Sequence, residues 1–471
     1  MSDLQDVDVL VVGAGSAGAA AALALARDGR RVMLVDKRER GTTGARWVNA
    51  IPRWCFERSG FGAPGARALF VSHATGEDRA VHLVAPGGKA RVVMRGVDVL
   101  HVDMRALVGD LVDRAEAAGA LLRQGRVADV AVEGGRARAV SFEDGSARFT
   151  ARARLIVDAS GIGGAVRRRV DALSRACPDA EPRDRCVAAQ AQYEVRDRGA
   201  LSAFLSRHGL RPGDDVAFSG VAGGYSTLTL FTRKDLSEVG VLAGSIPSLG
   251  VLDGGALLDR FVAGAPFLGA RIFGGRGAIP LRRPYTTLGA GGVALVGDAA
   301  CQVYSSHGSG VGIGLLAARA LADAVRPHDD PGRPEALEAY GRRFRGAHGG
   351  LLAASDAFRR HVQGLGPGDL DRMLGAGLLD ESLASAAIEQ RPARPDLAFL
   401  LAAPARAARS PGAAARFLPL AARAVLLDRL GPLTALPAIG GSIDRALEAL
   451  VGRASEDAAT AAWAVPSATP Q

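Results

Sequence analysis

Two groups of small residues, almost three hundred positions apart, carry the chemistry that this 471-residue sequence offers. Near the start, Gly13, Gly15 and Gly18 form a GxGxxG turn, and Asp36 follows at the end of the next apolar run. Much later, Gly297, Asp298, Ala299 and Ala300 place one carboxylate at the end of another apolar run, just ahead of Gly308 and Gly310. In the first group each glycine has its own task. Gly13 makes the tight turn, Gly15 lets a pyrophosphate approach the backbone, and Gly18 packs a helix against a strand. Ser16 and Ala17 then present free N–H groups at the positive end of that helix. Asp36 is placed to accept ribose hydroxyls, with Lys37 beside it at the adenosine end. The pattern predicts a dinucleotide site, because a glycine turn that served packing alone would not explain Asp36.

The elements that must hold these residues follow from periodicity. Val7 to Val12 is a run suited to a strand buried on both faces. Ala19 to Ala26 is a helix former ended by Gly29, and Arg31 to Val35 is a second strand. A further helix is predicted over VDMRALVGDLVDRAEAAGA, with Leu107, Leu111 and Ala115 on one face. Two strands join across Asp144 and Gly145, and Leu155 to Val157 forms a third. From about Cys186 to Ile279 the period becomes strand-like, with few convincing helices. Val311 to Val325 is helical, as is the chain beyond Pro334, and VPSATPQ reads as a frayed tail. The expected class is α/β: a Rossmann-type domain from 1–185 and 275–345, with an inserted antiparallel β-sheet substrate domain at 186–274. Part of 45–100 joins the substrate region, and 346–471 forms a helical C-terminal extension.

Composition bounds the rest. Apolar residues make up 48% and charged ones 23%, which fits a globular enzyme and excludes a disordered chain. The net charge of +9 is spread through arginines interleaved with acids, so no nucleic-acid stripe is expected. Cys55, Cys177, Cys186 and Cys301 show no metal-ligand spacing, so no metal is expected and a reducing compartment is. No window is long and apolar enough to span a bilayer. The expectation is a soluble cytoplasmic protein, its oligomeric state left open.

The second motif decides the cofactor by resemblance. GDAA followed by a Gly-rich turn resembles the flavoprotein superfamily of para-hydroxybenzoate hydroxylase, geranylgeranyl reductase and flavin-dependent halogenases. That resemblance implies non-covalent FAD, with Gly297 and Asp298 in the motif whose carboxylate holds the ribityl chain and Gly308, Gly310 and Val311 along the isoalloxazine ring. It further implies that Arg105, early in its helix, reaches the pyrophosphate and that Val127 meets the adenine. LIVDASG, with Asp158 and Gly161, resembles the strand end common among the reductases and halogenases. The run RGAIPLRRPYTTLGAGGVALVGDAACQVYSSHGSGVGIG is closest to the geranylgeranyl reductase-like branch. The chain departs from that branch at Ser305, at His307, and at GGYSTLTLF, where Tyr225 replaces an aromatic-rich strand.

The resemblance puts His307 and Tyr304 in the turn against the flavin. His307 could donate or relay a proton, or simply bond to backbone at a helix start. Tyr304 could close the site or bind substrate, or pack as a core aromatic. Arg46, Trp47 and Asn49 would line the cavity, Arg46 holding a substrate carboxylate or covering the flavin edge. Cys55 and Cys301 read as small buried hydrophobes rather than redox thiols. The implied activity is FAD-dependent redox chemistry on a small organic substrate, hydrophobic or carrier- or peptide-bound. It would run by reduction, desaturation or monooxygenation, with NAD(P)H or a separate reductase as donor. An NAD(P)H-dependent aromatic hydroxylase and a non-catalytic flavin-binding partner protein are the alternatives; halogenation is disfavoured. The arginine-flanked run ARFLPLAARAVLLDRL could cap the entrance or meet a carrier protein, a peptide or a membrane. Plain packing is favoured over peripheral membrane contact.

Overall fold

The computed structural model describes residues 3–65, 68–69, 79–394, 397–437 and 439–452, so the expected frayed tail lies outside them. Val9 to Val12 and Leu155 to Val157 are almost wholly buried, as strands covered on both faces must be. They belong to a parallel sheet ordered Leu121–Gln124, Val32–Asp36, Asp3–Val12, Ala147–Asp158 and Val293–Leu295. Gly289–Ala290 closes its edge antiparallel. The first half of Ala147–Asp158 also pairs antiparallel with Arg136–Asp144, which carries Arg126–Glu133.

The helix Ser16–Arg27 crosses from the first strand to the second. Its run of alanines buries Gly18 through Ala26 with little bulk, so the helices Met104–Ala117 and Val311–Val325 both pack closely on it. A Cβ on Gly314 would stand 3.0 Å from the Ala17 Cβ, which shows how close that approach is. The C-terminal ends of the parallel strands share one edge, where open α/β sheets bind their ligands. The loops at 13–15, 36–38, 159–165 and 297–310 gather there.

The second sheet runs Leu268–Pro280, Arg185–Val195, Glu238–Ser245, Ser226–Thr232, Asp215–Ser219, Ala80–Val84 and Arg91–Arg95. Its pairs are antiparallel except Asp215–Ser219 with Ala80–Val84, which run parallel. The chain between those two strands leaves for the first sheet and returns, so no hairpin dictates their direction. Two helices that periodicity did not suggest, Arg198–Arg207 and Gly254–Ala263, cover one face of this sheet. They bury Leu201, Phe204, Leu205, Leu257, Leu258 and Phe261. Each is only 10 residues long, but each starts on an aspartate cap, Asp197 or Asp253, that accepts from a backbone N–H three residues on.

The C-terminal region is helical. Gly350–Gln363 is pinned by a buried ionic cluster: Asp356 accepts from Arg283 N at 2.8 Å and from Arg359 Nη2 at 2.6 Å. Arg359 Nη2 also reaches Asp184 Oδ1 at 2.7 Å. Breaking a buried pair of this kind costs about 3–5 kcal/mol. The cluster thus fixes this helix against the chain just before the strand Arg185–Val195 and just after Leu268–Pro280.

Candidate functional site

A single cavity of about 1330 Å³ joins the two glycine motifs to the second sheet and the C-terminal helices. Its first part is backbone. Gly13, at φ +106°, turns so tightly that a Cβ would sit 2.3 Å from the Ala159 carbonyl oxygen. A Cβ on Gly18 would come within 1.8 Å of the Gly13 carbonyl oxygen. Gly15 differs: its Cβ would meet nothing within 4 Å, because it would project into the cavity. Ser16 and Ala17 line the cavity beside it, while Gly18 lies behind.

Asp36, Lys37 and Val127 line one end. Both Asp36 oxygens already accept backbone N–H groups, from Ala14 at 2.7 Å and from Arg38 at 2.8 Å. The residue therefore ties the glycine turn to the strand end as well as facing the cavity. Arg105 lies off the cavity lining. Its guanidinium is held bidentate by Asp103, at 3.1 and 2.7 Å, and stacks 3.6 Å over the Phe273 ring. Arg38, Arg126, Arg168 and Arg169 reach the lining instead, and periodicity singled out none of them. Asp158 is fully buried beneath the floor. It accepts from Ser160 N, Ser160 Oγ, Val166 N and Arg167 N at 2.6–3.0 Å, which shapes the loop that puts Gly161, at φ +77°, on the lining.

At the second motif, Gly297 takes φ +69°, and its Cβ would be 2.9 Å from the Ala17 Cβ. Asp298 turns into the cavity, and no described residue donates a hydrogen bond to its carboxylate. Burial alone pushes that carboxyl up to about 6. A Cβ on Gly310 would crowd its Oδ1 at 3.3 Å. Gly308, at φ +65°, and Val311, the first residue of its helix, complete this wall. An open cradle over Gly15 and a half-buried carboxylate that faces the cavity without a donor together fit a phosphate-bearing, hydroxyl-rich group such as FAD.

His307 and Tyr304 both line the cavity, their rings 4.8 Å apart. His307 Nε2 lies 2.8 Å from the Ala387 carbonyl oxygen. A carbonyl only accepts, so Nε2 carries the hydrogen and Nδ1 keeps its lone pair. Although the ring is open to the cavity, desolvation by the surrounding protein pushes this imidazole below its ordinary value, against the pull of the Ala387 carbonyl. Burial also lifts the Tyr304 phenol to about 12, with the hydroxyls of Ser306 and Ser355 acting in the opposite sense. Tyr225 comes to the same turn, its hydroxyl 3.6 Å from where a Gly308 Cβ would be. Asn49 and Trp47 line the cavity, whereas Arg46 is exposed and lies off it. Cys55 and Cys301 are buried, and burial pushes their thiols up to about 12 and about 11, the wrong direction for a reactive thiolate.

Of the remaining walls, sequence reasoning missed one and offered the other, the run ARFLPLAARAVLLDRL, as a cap only as an alternative to the favoured plain packing. His101 and Asp215 line the cavity with Nε2 and Oδ2 at 3.2 Å, the imidazole stacked on Phe231. The far wall comes from the C-terminal helices, with Phe358, Met373, Leu383, Phe399, Phe417 and Leu420.

Residues 8–170 match the family model described as FAD dependent oxidoreductase. The chain is 24% identical over 398 residues to digeranylgeranylglycerophospholipid reductase of Methanocaldococcus jannaschii, covering 81% of this chain and 93% of that protein. A geranylgeranyl bacteriochlorophyll reductase-like protein from Thermoplasma acidophilum superposes with a TM-score of 0.69 at 18% identity, over 88% of this chain and all of that one. PqsL of Pseudomonas aeruginosa, solved with 2-aminobenzoylacetate, gives a TM-score of 0.55 at 18% identity, over 79% of this chain and 99% of that one.

Proposed function

We propose that this FAD-dependent oxidoreductase reduces carbon–carbon double bonds in a long apolar substrate. The observation that carries the reading is continuity. The cavity containing Asp298 and His307 runs on between the second sheet and the C-terminal helices, ending among Phe399, Phe417 and Leu420. Its volume of about 1330 Å³ exceeds the roughly 300–1,000 Å³ of an ordinary small-molecule site. It thus has room for a second molecule beside the cofactor. Burying a hydrocarbon chain there stabilises the complex by about 0.8 kcal/mol per CH₂ group. The Methanocaldococcus relative, whose name specifies geranylgeranyl chains, supports a substrate of this class.

FAD held in the cradle supplies hydride transfer to carbon. Asp298 accepts hydroxyl hydrogens of the bound group and so fixes its depth against the helix Val311–Val325, whose positive end favours negative charge nearby. Gly15, Gly308 and Gly310 let backbone approach without side chains in between. Tyr304 keeps its phenolic proton across the working pH range and holds it at the cavity wall for delivery to the substrate carbon. Neutral His307 turns its Nδ1 lone pair away from the Ala387 contact, available to accept a hydrogen bond and so orient water or the phenol. The apolar helices exclude bulk water. Electrons enter from NAD(P)H or from a separate reductase.

The test is product analysis under nitrogen. Reduced holoenzyme mixed with digeranylgeranylglycerophospholipid should give product heavier by two hydrogens for each double bond lost. Product that forms only in air and carries an added oxygen atom would overturn the reading in favour of monooxygenation.

A further inference from the structure

Thirteen large apolar side chains are substantially exposed among the described residues, and eight of them lie between positions 400 and 439. Leu400 and Leu401 are 54% and 73% exposed on the helix Leu397–Arg409. Leu418, Val425 and Leu426 are each more than 40% exposed on the helix Pro411–Leu430, which packs beside it. Such a concentration marks a contact surface rather than scattered surface residues.

Helical geometry sorts the second helix cleanly. Ala413, Phe417, Leu420 and Leu427 form its buried face. At about 100° per residue, Leu418, Ala422, Val425 and Leu426 occupy an adjoining exposed arc. Arg416 and Arg423, seven residues apart and both exposed, border one side of that arc, and exposed Arg429 lies within it at the C-terminal end of the helix. Residues 397–452 hold six arginines against three acids; Arg406 and Arg416 pair with Asp380 and Asp369 outside the segment, and Asp444 is consumed in a buried pair with Arg283. An apolar arc edged by arginines is the pattern of a helix lying in the plane of an anionic membrane surface. Among the described residues no helix is long and apolar enough to cross a membrane, so the contact would be interfacial.

The same residues meet the cavity. Leu418 and Val425 are exposed and also line it, and Phe399, directly before Leu400, lines it from the neighbouring helix. We infer that the outer face of the helices Leu397–Arg409 and Pro411–Leu430 beds into an anionic lipid bilayer and opens the cavity to it. The apolar substrate then enters from the bilayer without crossing water. The delivery role rests on the proposed function, but the bilayer contact is testable without turnover.

FAD-loaded full-length protein is floated with vesicles of phosphatidylcholine alone and of phosphatidylcholine with phosphatidylglycerol. It should float with the anionic vesicles and be released by high salt. Leu401→Glu with Leu426→Glu, neither of which lines the cavity, should weaken partition by at least roughly tenfold with flavin absorbance and melting temperature kept. Arg423→Glu with Arg429→Glu should weaken binding by roughly fivefold per arginine, and only to anionic vesicles; this pair decides the matter if the leucine pair folds poorly. Failure of wild type to float, or equal flotation by both variant pairs, would overturn the inference. So would a wild-type dimer in light scattering that the leucine pair converts to monomer, since a second copy would then cover the surface. Vesicle binding without double-bond reduction would instead count against the proposed function alone.

Discussion

A Cβ on Gly18 would stand 1.8 Å from the carbonyl oxygen of Gly13, whereas a Cβ on Gly15, between them, would meet nothing. Glycines that look equivalent in the motif thus do different work: Gly13 and Gly18 close the fold, and Gly15 keeps space open for a ligand. Gly15→Val should therefore give a folded protein, with the wild-type melting temperature in its apo form, that retains no FAD. Gly18→Val should fail to fold at all. Thermal melts and flavin absorbance of the two purified proteins check this, and a Gly15→Val protein that binds FAD normally would contradict it.

Asp298 is expected to act oppositely on stability and on binding. Its folded carboxyl is raised to about 6 by burial from an ordinary value of 3.8. Well above pH 6 the apo fold therefore carries a buried charge that the unfolded chain solvates freely. As pH falls from 6 toward 3.8 the folded state takes up the proton first, and that disadvantage fades. Asp298→Asn should raise the apo melting temperature well above pH 6 and lose the advantage as pH drops through this window. Hydrogen bonds to charged groups are worth about 1.5–3 kcal/mol, so FAD should bind the variant roughly ten- to a hundredfold more weakly. Parallel apo melts and FAD titrations across this range decide it.

Tyr304 and His307 should separate in their pH behaviour. Tyr304→Phe removes the proton-holding phenol and should lower kcat by roughly a hundredfold or more, with FAD affinity unchanged. His307, held neutral by a value pushed below 6.5, gains its proton only as pH falls under that value. Wild type should accordingly show an acid limb in kcat below pH 6.5 that His307→Gln abolishes. Steady-state pH profiles of the three proteins measure this. An unchanged acid limb in His307→Gln would remove the histidine from the chemistry.

The two glycine motifs were legible because their chemistry is local: a strand, a turn and a helix start within a few residues fix where backbone can meet a ligand. Asp36 was expected at the strand end by the same logic, and its bonds to Ala14 and Arg38 make it a structural tie. Arg105 was placed by its early position on a helix, yet Asp103, two residues earlier, caps that helix and holds the guanidinium. An aspartate at the cap position was the available signal. The remaining cavity depends on distant pairings. His307 reaches Ala387 across 80 residues, and His101 reaches Asp215 with the first-sheet strands of 121–158 lying between them in the chain. No short-range pattern encodes such contacts. The helices Arg198–Arg207 and Gly254–Ala263 escaped notice because ten residues give too few turns for a clear apolar stripe.

The central claim is that the apolar cavity holds the substrate's chain, and dependence on chain length tests it most directly. Reduced holoenzyme is mixed under nitrogen with prenyl substrates differing by single five-carbon units, and reoxidation of the flavin is followed by absorbance. The apparent second-order rate should rise by at least roughly tenfold per added unit until the cavity is filled and then level off. A rate independent of chain length, or faster reoxidation by a compact aromatic substrate than by any prenyl chain, would contradict the account.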